Sequence, residues 1–266
     1  MRCSAVVIAG ILMGSLAIFV RNIPADPITI TFFRLSLGTV FLLPFVRGIR
    51  LAHPKLVLSV AIVNLATILC YIASIKMVEV ATSALLLYMA PIYVTLYVWL
   101  RGEKVSRSSL IALPLAILGL YLMLTPYGRM SPGIAFGILS GVFYAMLFIL
   151  MKKVRAFMSS THITFLSLAI SSVVLSPVLF RSNIAEIFVQ RYVWILGLGL
   201  IPTALAFTLF NYGIKFCKTE KAPIFALVEP VSAGIFGYVV FGEILTFKQM
   251  VGAGLILLGV LLAYKE

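Results

Sequence analysis

The 266-residue chain is 62% hydrophobic and only 11% charged, and its mean hydropathy of +1.16 excludes a soluble globular domain. Its formal charge of +13 does not describe a nucleic-acid binder, because the basic residues are scattered among short polar intervals and form no stripe or aromatic-interleaved platform. Crossing a bilayer takes about 20 apolar residues, so ten crossings use roughly 200 and leave no room for a separate soluble domain.

In chain order the apolar segments run approximately 3–20, 28–46, 55–74, 79–100, 107–125, 132–151, 159–180, 192–213, 221–242 and 247–264. The first follows Arg2 in the manner of a secretory signal, yet the same run recurs as the sixth segment, so it reads as a retained helix. Within it Gly10 and Gly14 are spaced four apart, as are Gly133, Gly137 and Gly141 in the sixth, which lets helices approach closely. The second segment carries Arg34 about six residues, or roughly 9 Å, from its outer end. That arginine either grips a substrate carboxylate with its two-pronged head or locks its helix to a neighbour through carbonyls or an acid. The third segment presents Asn64, Thr67, Tyr71 and Ser74 on one face, and the eighth presents Thr203, Phe207 and Asn211. Such stripes are either cavity lining or interhelical hydrogen bonds worth on the order of 1 kcal/mol each.

Pro91 and Pro230 interrupt the fourth and ninth segments near their middles, at corresponding places in the two halves of the chain. Proline donates no backbone hydrogen bond, so the carbonyls of Leu87 and Ala226 are released toward whatever lines the helix there. Paired interruptions of this kind point to a binding site at mid-membrane, the alternative being a kink that only shapes the bundle. Glu229 immediately precedes Pro230 and lies about 12 Å along its helix from Lys221, in a hydrocarbon core about 30 Å thick. A carboxylate at that depth must face a cavity, find a cation or take up a proton, which suits proton coupling or a substrate ammonium. Tyr88 and Tyr144 offer aromatic walls suited to an apolar or aromatic side group, the alternative for either being packing alone. Thr246 with Gln249 predicts a capping box at the tenth helix, Ser106 stands in the matching place before the fifth, and Trp99 and Trp194 are interface anchors.

The chain has no G-x-x-x-x-G-K-[ST] phosphate loop, no H-E-x-x-H and no G-x-S-x-G, so the reading is of a non-enzyme with no cofactor and no metal. Cys3, Cys70 and Cys217 sit in or beside different segments, with no metal-ligand spacing and no pairing implied. The expected partners are a small-molecule substrate, with or without proton coupling, and the lipid bilayer, in a monomer or homodimer.

The sequence is also written twice. Gly10-Ile11-Leu12-Met13-Gly14 returns as Gly137-Ile138-Leu139-Ser140-Gly141, and Ile30-Thr31-Phe32 as Ile163-Thr164-Phe165. Pro44 answers Pro177, Ile75-Lys76 answers Ile214-Lys215, Gly102-Glu103 answers Gly242-Glu243, and Gly119 answers Gly259. Residues 1–127 and 128–266 are therefore two repeats of five segments, and an odd number turns the second upside down. With the N-terminus inside, 14 of the 21 lysines and arginines fall on the inner side, from Arg2 through Arg50 to Lys265. Six, Arg129 and Arg181 among them, fall outside, so the positive-inside rule places both termini in the cytoplasm of a cell-membrane protein. The fold class is an all-α membrane protein of ten transmembrane helices in two inverted five-helix repeats.

Arginine in the second helix (Phe32-Phe33-Arg34-Leu35), the mid-span prolines and Gly-Glu closing helices four and nine resemble the EamA family of the drug/metabolite transporter superfamily. The run from Glu229-Pro230-Val231 through Gly242-Glu243, followed by Gly252 and Gly259, is especially similar. The resemblance covers essentially the whole chain. It implies a substrate cavity between the halves that opens alternately to each side, and secondary transport, often export, of small organic metabolites such as amino acids. Exchange of phosphorylated sugars or nucleotide-sugars is the alternative within the superfamily, and a non-transporting channel or sensor component the alternative outside it. The first repeat has Ala90 before its proline, so no charged role transfers to that half, and Glu103 and Glu243 read as helix-end structure.

Overall fold

Lipid offers no hydrogen bonds to the backbone, so a chain this apolar satisfies its amides within helices. Accordingly every regular element in the described residues of this computed structural model is helical. Those residues are 3–48, 53–78, 80–124, 132–180, 183–242 and 244–264. Arg2, Arg50, Arg129, Arg181, Glu243 and Lys265 lie outside them.

The first crossing comprises α1 (Ser4–Gly14) and α2 (Leu16–Val20), and the second α3 (Pro27–Leu42) with a 3₁₀ turn, Leu43–Phe45. The third is α4 (Pro54–Met77), the fourth α5 (Val80–Leu87) with α6 (Ala90–Leu100), and the fifth α7 (Arg107–Leu124). The second repeat follows with α8 (Pro132–Val154) and α9 (Ser160–Val174), the latter continued by a 3₁₀ stretch, Ser176–Phe180. The eighth crossing joins α10 (Ile184–Gly199), a π-helical stretch Leu200–Leu205 and α11 (Ala206–Ile214). The ninth is α12 (Lys221–Ala226) with α13 (Val228–Phe241), and the tenth α14 (Phe247–Tyr264). Eight of these runs are long and apolar enough to span a membrane, and Ser4–Val20 and Ser160–Val174 are shorter apolar helices. Asp26 caps α3 by accepting from the amides of Ile28 and Thr29. The Thr246–Gln249 capping box forms as expected, Gln249 accepting from the Thr246 amide at 2.8 Å. Ser106 accepts from the Ser109 amide at the matching place before α7. Gly102 and Gly242 end α6 and α13 at φ of +72° and +67°, where a side chain would be strained, which explains why the same glycine recurs in both repeats.

Two readings of the sequence are corrected. The eighth helix begins at Ile184 and not near 192; the backbone bends at Arg191, and the polar residues Glu186, Gln190 and Arg191 before the bend depress the hydropathy that would have announced it. At 1.5 Å per residue the 31-residue run is about 46 Å long, more than the hydrocarbon thickness, so its first turns lie outside the apolar layer. Cys3 and Cys217 are joined in a disulfide with their Cα atoms 5.3 Å apart. Nothing in a separation of 214 residues signals this; it follows from packing that sets the start of α1 beside the end of α11.

The repeats are interleaved. The first crossing packs on the eighth and ninth, and its counterpart, α8, packs on α4 and on α5 and α6. Two bundles of three crossings result, the first, eighth and ninth in one and the third, fourth and sixth in the other, each built from both halves of the sequence, while α3 pairs with α9 and α7 with α14. The α7–α14 seam shows the twofold relation directly. A methyl on Gly119 would lie 2.5 Å from the Gly252 carbonyl oxygen, and one on Gly259 would lie 2.9 Å from the Ala112 carbonyl oxygen. Gly119 corresponds to Gly259 and Ala112 to Gly252, so the two contacts are one contact seen twice. Large apolar side chains such as Val40, Leu100, Val239 and Leu261 point outward, as a lipid-facing surface requires.

Candidate functional site

Both proline-bearing crossings are broken where the sequence places the released carbonyls. Leu87 is the last residue of α5 and Ala226 the last of α12, with α6 and α13 resuming after two residues and one residue respectively. The paired glycines pack against these breaks. A methyl on Gly10 would meet the Glu229 amide nitrogen at 3.4 Å and the Ala226 carbonyl oxygen at 3.6 Å, and one on Gly14 the Glu229 carbonyl oxygen at 2.9 Å. In the other bundle Gly137 lies against Leu86, and Gly141 against the Leu86 carbonyl and the Tyr93 ring. Small residues thus let α1 and α8 seat against interrupted backbone that a larger side chain would push away. The Ser232 hydroxyl lies 2.9 Å from the Glu229 carbonyl and 3.0 Å from that of Val228, and contributes a donor to the same turn.

Glu229 stands in the first turn of α13, where the helix dipole favours an anion. The hydroxyl of Tyr88, in the break between α5 and α6, donates to its carboxylate. Tyr71, Tyr144 and Arg34 lie within electrostatic reach of the same carboxylate. One acid, one guanidinium and three phenols therefore converge from the second, third, fourth, sixth and ninth crossings. All five side chains are half-buried, keeping some accessible surface near the middle of their helices, as walls of an internal cavity do.

Arg34 is held from the other side. Its Nε donates to Thr203 Oγ1 at 3.1 Å and Nη2 to the Pro202 carbonyl at 3.3 Å, while its guanidinium lies 5.1 Å from the centre of the Phe207 ring. Thr203 Oγ1 in turn donates to the Leu198 carbonyl at 2.7 Å. The π-helical stretch disturbs the regular backbone pairing, and the arginine satisfies one of the carbonyls there. Arg34 thus meets a carbonyl of the eighth crossing, with the half-buried Phe207 ring beside its guanidinium.

The remaining candidate residues sit differently. Asn64 and Thr67 are buried, and Thr67 donates to its own helix at the Val63 carbonyl, 2.7 Å away. Ser74 pairs with Ser83 at 2.8 Å, tying the third crossing to the fourth. Asn211 is buried and donates to Thr164 Oγ1 at 2.7 Å, tying the eighth to the seventh. Pro91 and Pro230 are buried at the breaks they cause. Thr164, Pro202 and Ser232 take part without having been singled out; Pro202 alone had a signal, as a proline inside an apolar run. Among the described residues no three His, Cys, Asp or Glu side chains gather into a metal site.

The EamA-like transporter family model matches this chain twice, over residues 2–125 and 131–265. The chain belongs to that family. It is 45% identical over 99% of its length to an uncharacterized transporter of Archaeoglobus fulgidus, of which it covers 96%. It is 27% identical to the uncharacterized transporter YwfM of Bacillus subtilis, over 89% of this chain and 84% of that one. With the pseudopaline exporter CntI of Pseudomonas aeruginosa it shares 25% identity over 65% of its own length and 63% of the exporter's. A solved crystal structure superposes with a TM-score of 0.81 over 98% of this chain and 96% of the other, at 17% identity, which speaks for the fold alone. This EamA-like protein is an integral membrane transporter and not an enzyme.

Proposed function

We propose that this protein is a secondary active transporter that exports small organic metabolites such as amino acids by alternating access, with Glu229 as the coupling or substrate-binding acid. The observation that carries the reading is the convergence of Glu229, Arg34, Tyr71, Tyr88 and Tyr144 beside two broken helices at corresponding places in an inverted repeat. Freed carbonyls, one acid and aromatic walls at mid-membrane suit a solute with an amine and an apolar side group. Pro91 and Pro230 create the breaks, Thr203 ties Arg34 to the eighth crossing, Asn211 ties the eighth to the seventh, Phe207 lies beside Arg34, and Asn64 and Thr67 are buried on the third. Export as the direction is supported by the exporter activity named for the Pseudomonas aeruginosa relative. Exchange of phosphorylated sugars is disfavoured, because it needs several deep cations and the fork of Arg34 is already engaged with Thr203 and Pro202. Both termini on the cytoplasmic side of the cell membrane, as the charge bias suggests, complete the reading.

Purified protein in liposomes, supplied with a panel of amino acids and aromatic metabolites under an imposed pH gradient, tests it. At least one solute should move, and Glu229→Gln should lower its flux at least about tenfold or abolish its pH dependence while the protein stays monodisperse. No movement of any solute, or an unchanged Glu229→Gln profile, contradicts the proposal or removes the residue from it respectively.

A further inference from the structure

One face of the molecule carries the start of α1, the ends of α8, α11 and α14, and the start of α12. The Cys3–Cys217 bond and the contact of Lys221 Nζ with the Ala263 carbonyl at 2.7 Å tie these ends together. This is the face of both termini. The main contacts between the two interleaved bundles, among the described residues, are the small ones of α11 with α8 and of α12 with α6 and α8. All of them lie in the half of the molecule next to this face. The bundles are thus closed together here, while the side chains around Glu229 retain accessible surface.

At the closed end, two cations from the sixth crossing reach across to the eighth. Lys152 Nζ donates to the carbonyls of Ile214 at 3.2 Å and Lys215 at 3.4 Å, and also to that of Cys217. Arg155 Nε donates to the Asn211 carbonyl at 2.7 Å, and its Nη1 to the carbonyl of Met158 in its own loop. Arg155 is buried, and Glu220, also buried, lies within electrostatic reach of Lys152. The final carbonyls of a helix carry its negative dipole end, so a lysine placed over those of Ile214 and Lys215, and over that of Cys217 in the following turn, sits where a cation is favoured. Lys152 and Arg155 belong to one bundle, and the carbonyls of α11 and its following turn belong to the other. Such a contact holds only while the two bundles are together on this side, and the acceptor at Cys217 is fixed to α1 by the disulfide, so the first and eighth crossings share the load.

We propose that Lys152 and Arg155 are the gating residues on the terminus face, latching the carbonyl end of the eighth helix and releasing it when the pathway opens to that side. The proposal rests on the alternating-access reading, and its test needs no cargo. In vesicles carrying the full chain with Cys70→Ser and a reporter cysteine at Tyr144→Cys, a membrane-impermeant maleimide is added from the terminus face. Labelling should be slow in the Lys152 background, at least about fivefold faster with Lys152→Met, and slow again with Lys152→Arg, which restores the cation. Equal rates for Lys152 and Lys152→Met overturn the latch, as does a fast rate in Lys152→Arg, which would mark a role in packing alone. Should the methionine variant not assemble, reductive methylation of the unmutated protein decides the matter. Lys152 should react at least about tenfold more slowly than exposed Lys153, and equal reactivity overturns the proposal. If the face opens in the variant while no solute moves in liposomes, the transport reading falls and the latch stands. If solute moves and the labelling never changes, the reverse holds.

Discussion

Arg34 shows how a residue can be legible in the sequence and its chemistry not. A lone arginine inside an apolar segment announces that it must be satisfied. Which of two partners satisfies it depends on a π-helical stretch 169 residues away, and no periodicity in Leu200–Leu205 betrays one. The hydrogen bonds to Thr203 and Pro202 predict that Arg34→Lys, which keeps the charge but loses the planar fork, destabilises the protein by about 1–2 kcal/mol. Thr203→Val should cost about 1 kcal/mol, and because the two share a bond their effects should fall short of additivity by at least about 0.5 kcal/mol. Unfolding of both single variants and the double in detergent checks this; strict additivity would mean the contact carries no energy. Glu229 was the other readable residue, since an acid beside a mid-span proline has few bland explanations. Its phenolic neighbours were only partly readable, because Tyr71, Tyr88 and Tyr144 are separated by intervals that only the interleaved fold brings together.

At the scale of elements, the broken fourth and ninth helices follow from covalent chemistry, and the sequence located both breaks through Pro91 and Pro230. The start of α10 was not legible, for its first turns are polar and outside the lipid, nor was the Cys3–Cys217 bond, which is a product of packing. The glycines separate into those that touch backbone and those that do not. A side chain on Gly119 has no space against Gly252, whereas Gly254 on the same seam's helix has nothing within 4 Å. Gly119→Ala should therefore lower stability by about 1–3 kcal/mol through overpacking. Gly254→Ala should be neutral or slightly stabilising, as expected of an exposed helical glycine. Thermal unfolding of the two variants side by side distinguishes them, and equal losses would contradict the reciprocal α7–α14 seam.

For the whole molecule, the duplicated sequence, the odd count in each half and the interleaved packing amount to a twofold scaffold carrying unequal chemistry. Arg34 is answered by Ser167 and Glu229 by Ala90, so the scaffold is repeated while its two deep charges are not. Under the proposed alternating access, the present arrangement, with bundles joined on the terminus face, is one of two related states. The other is then expected to form the same packing on the opposite face between the counterpart helices. Distances between spin labels measured in nanodiscs test this most directly, with one pair at Arg101 and Lys218 on the terminus face and another at Pro24 and Met77 on the opposite face. Two populations at each face, with the terminus-side distance lengthening under the same change of pH or solute that shortens the other, are the predicted result. A single unchanging distance at both faces under every condition that supports transport would contradict alternating access in this protein.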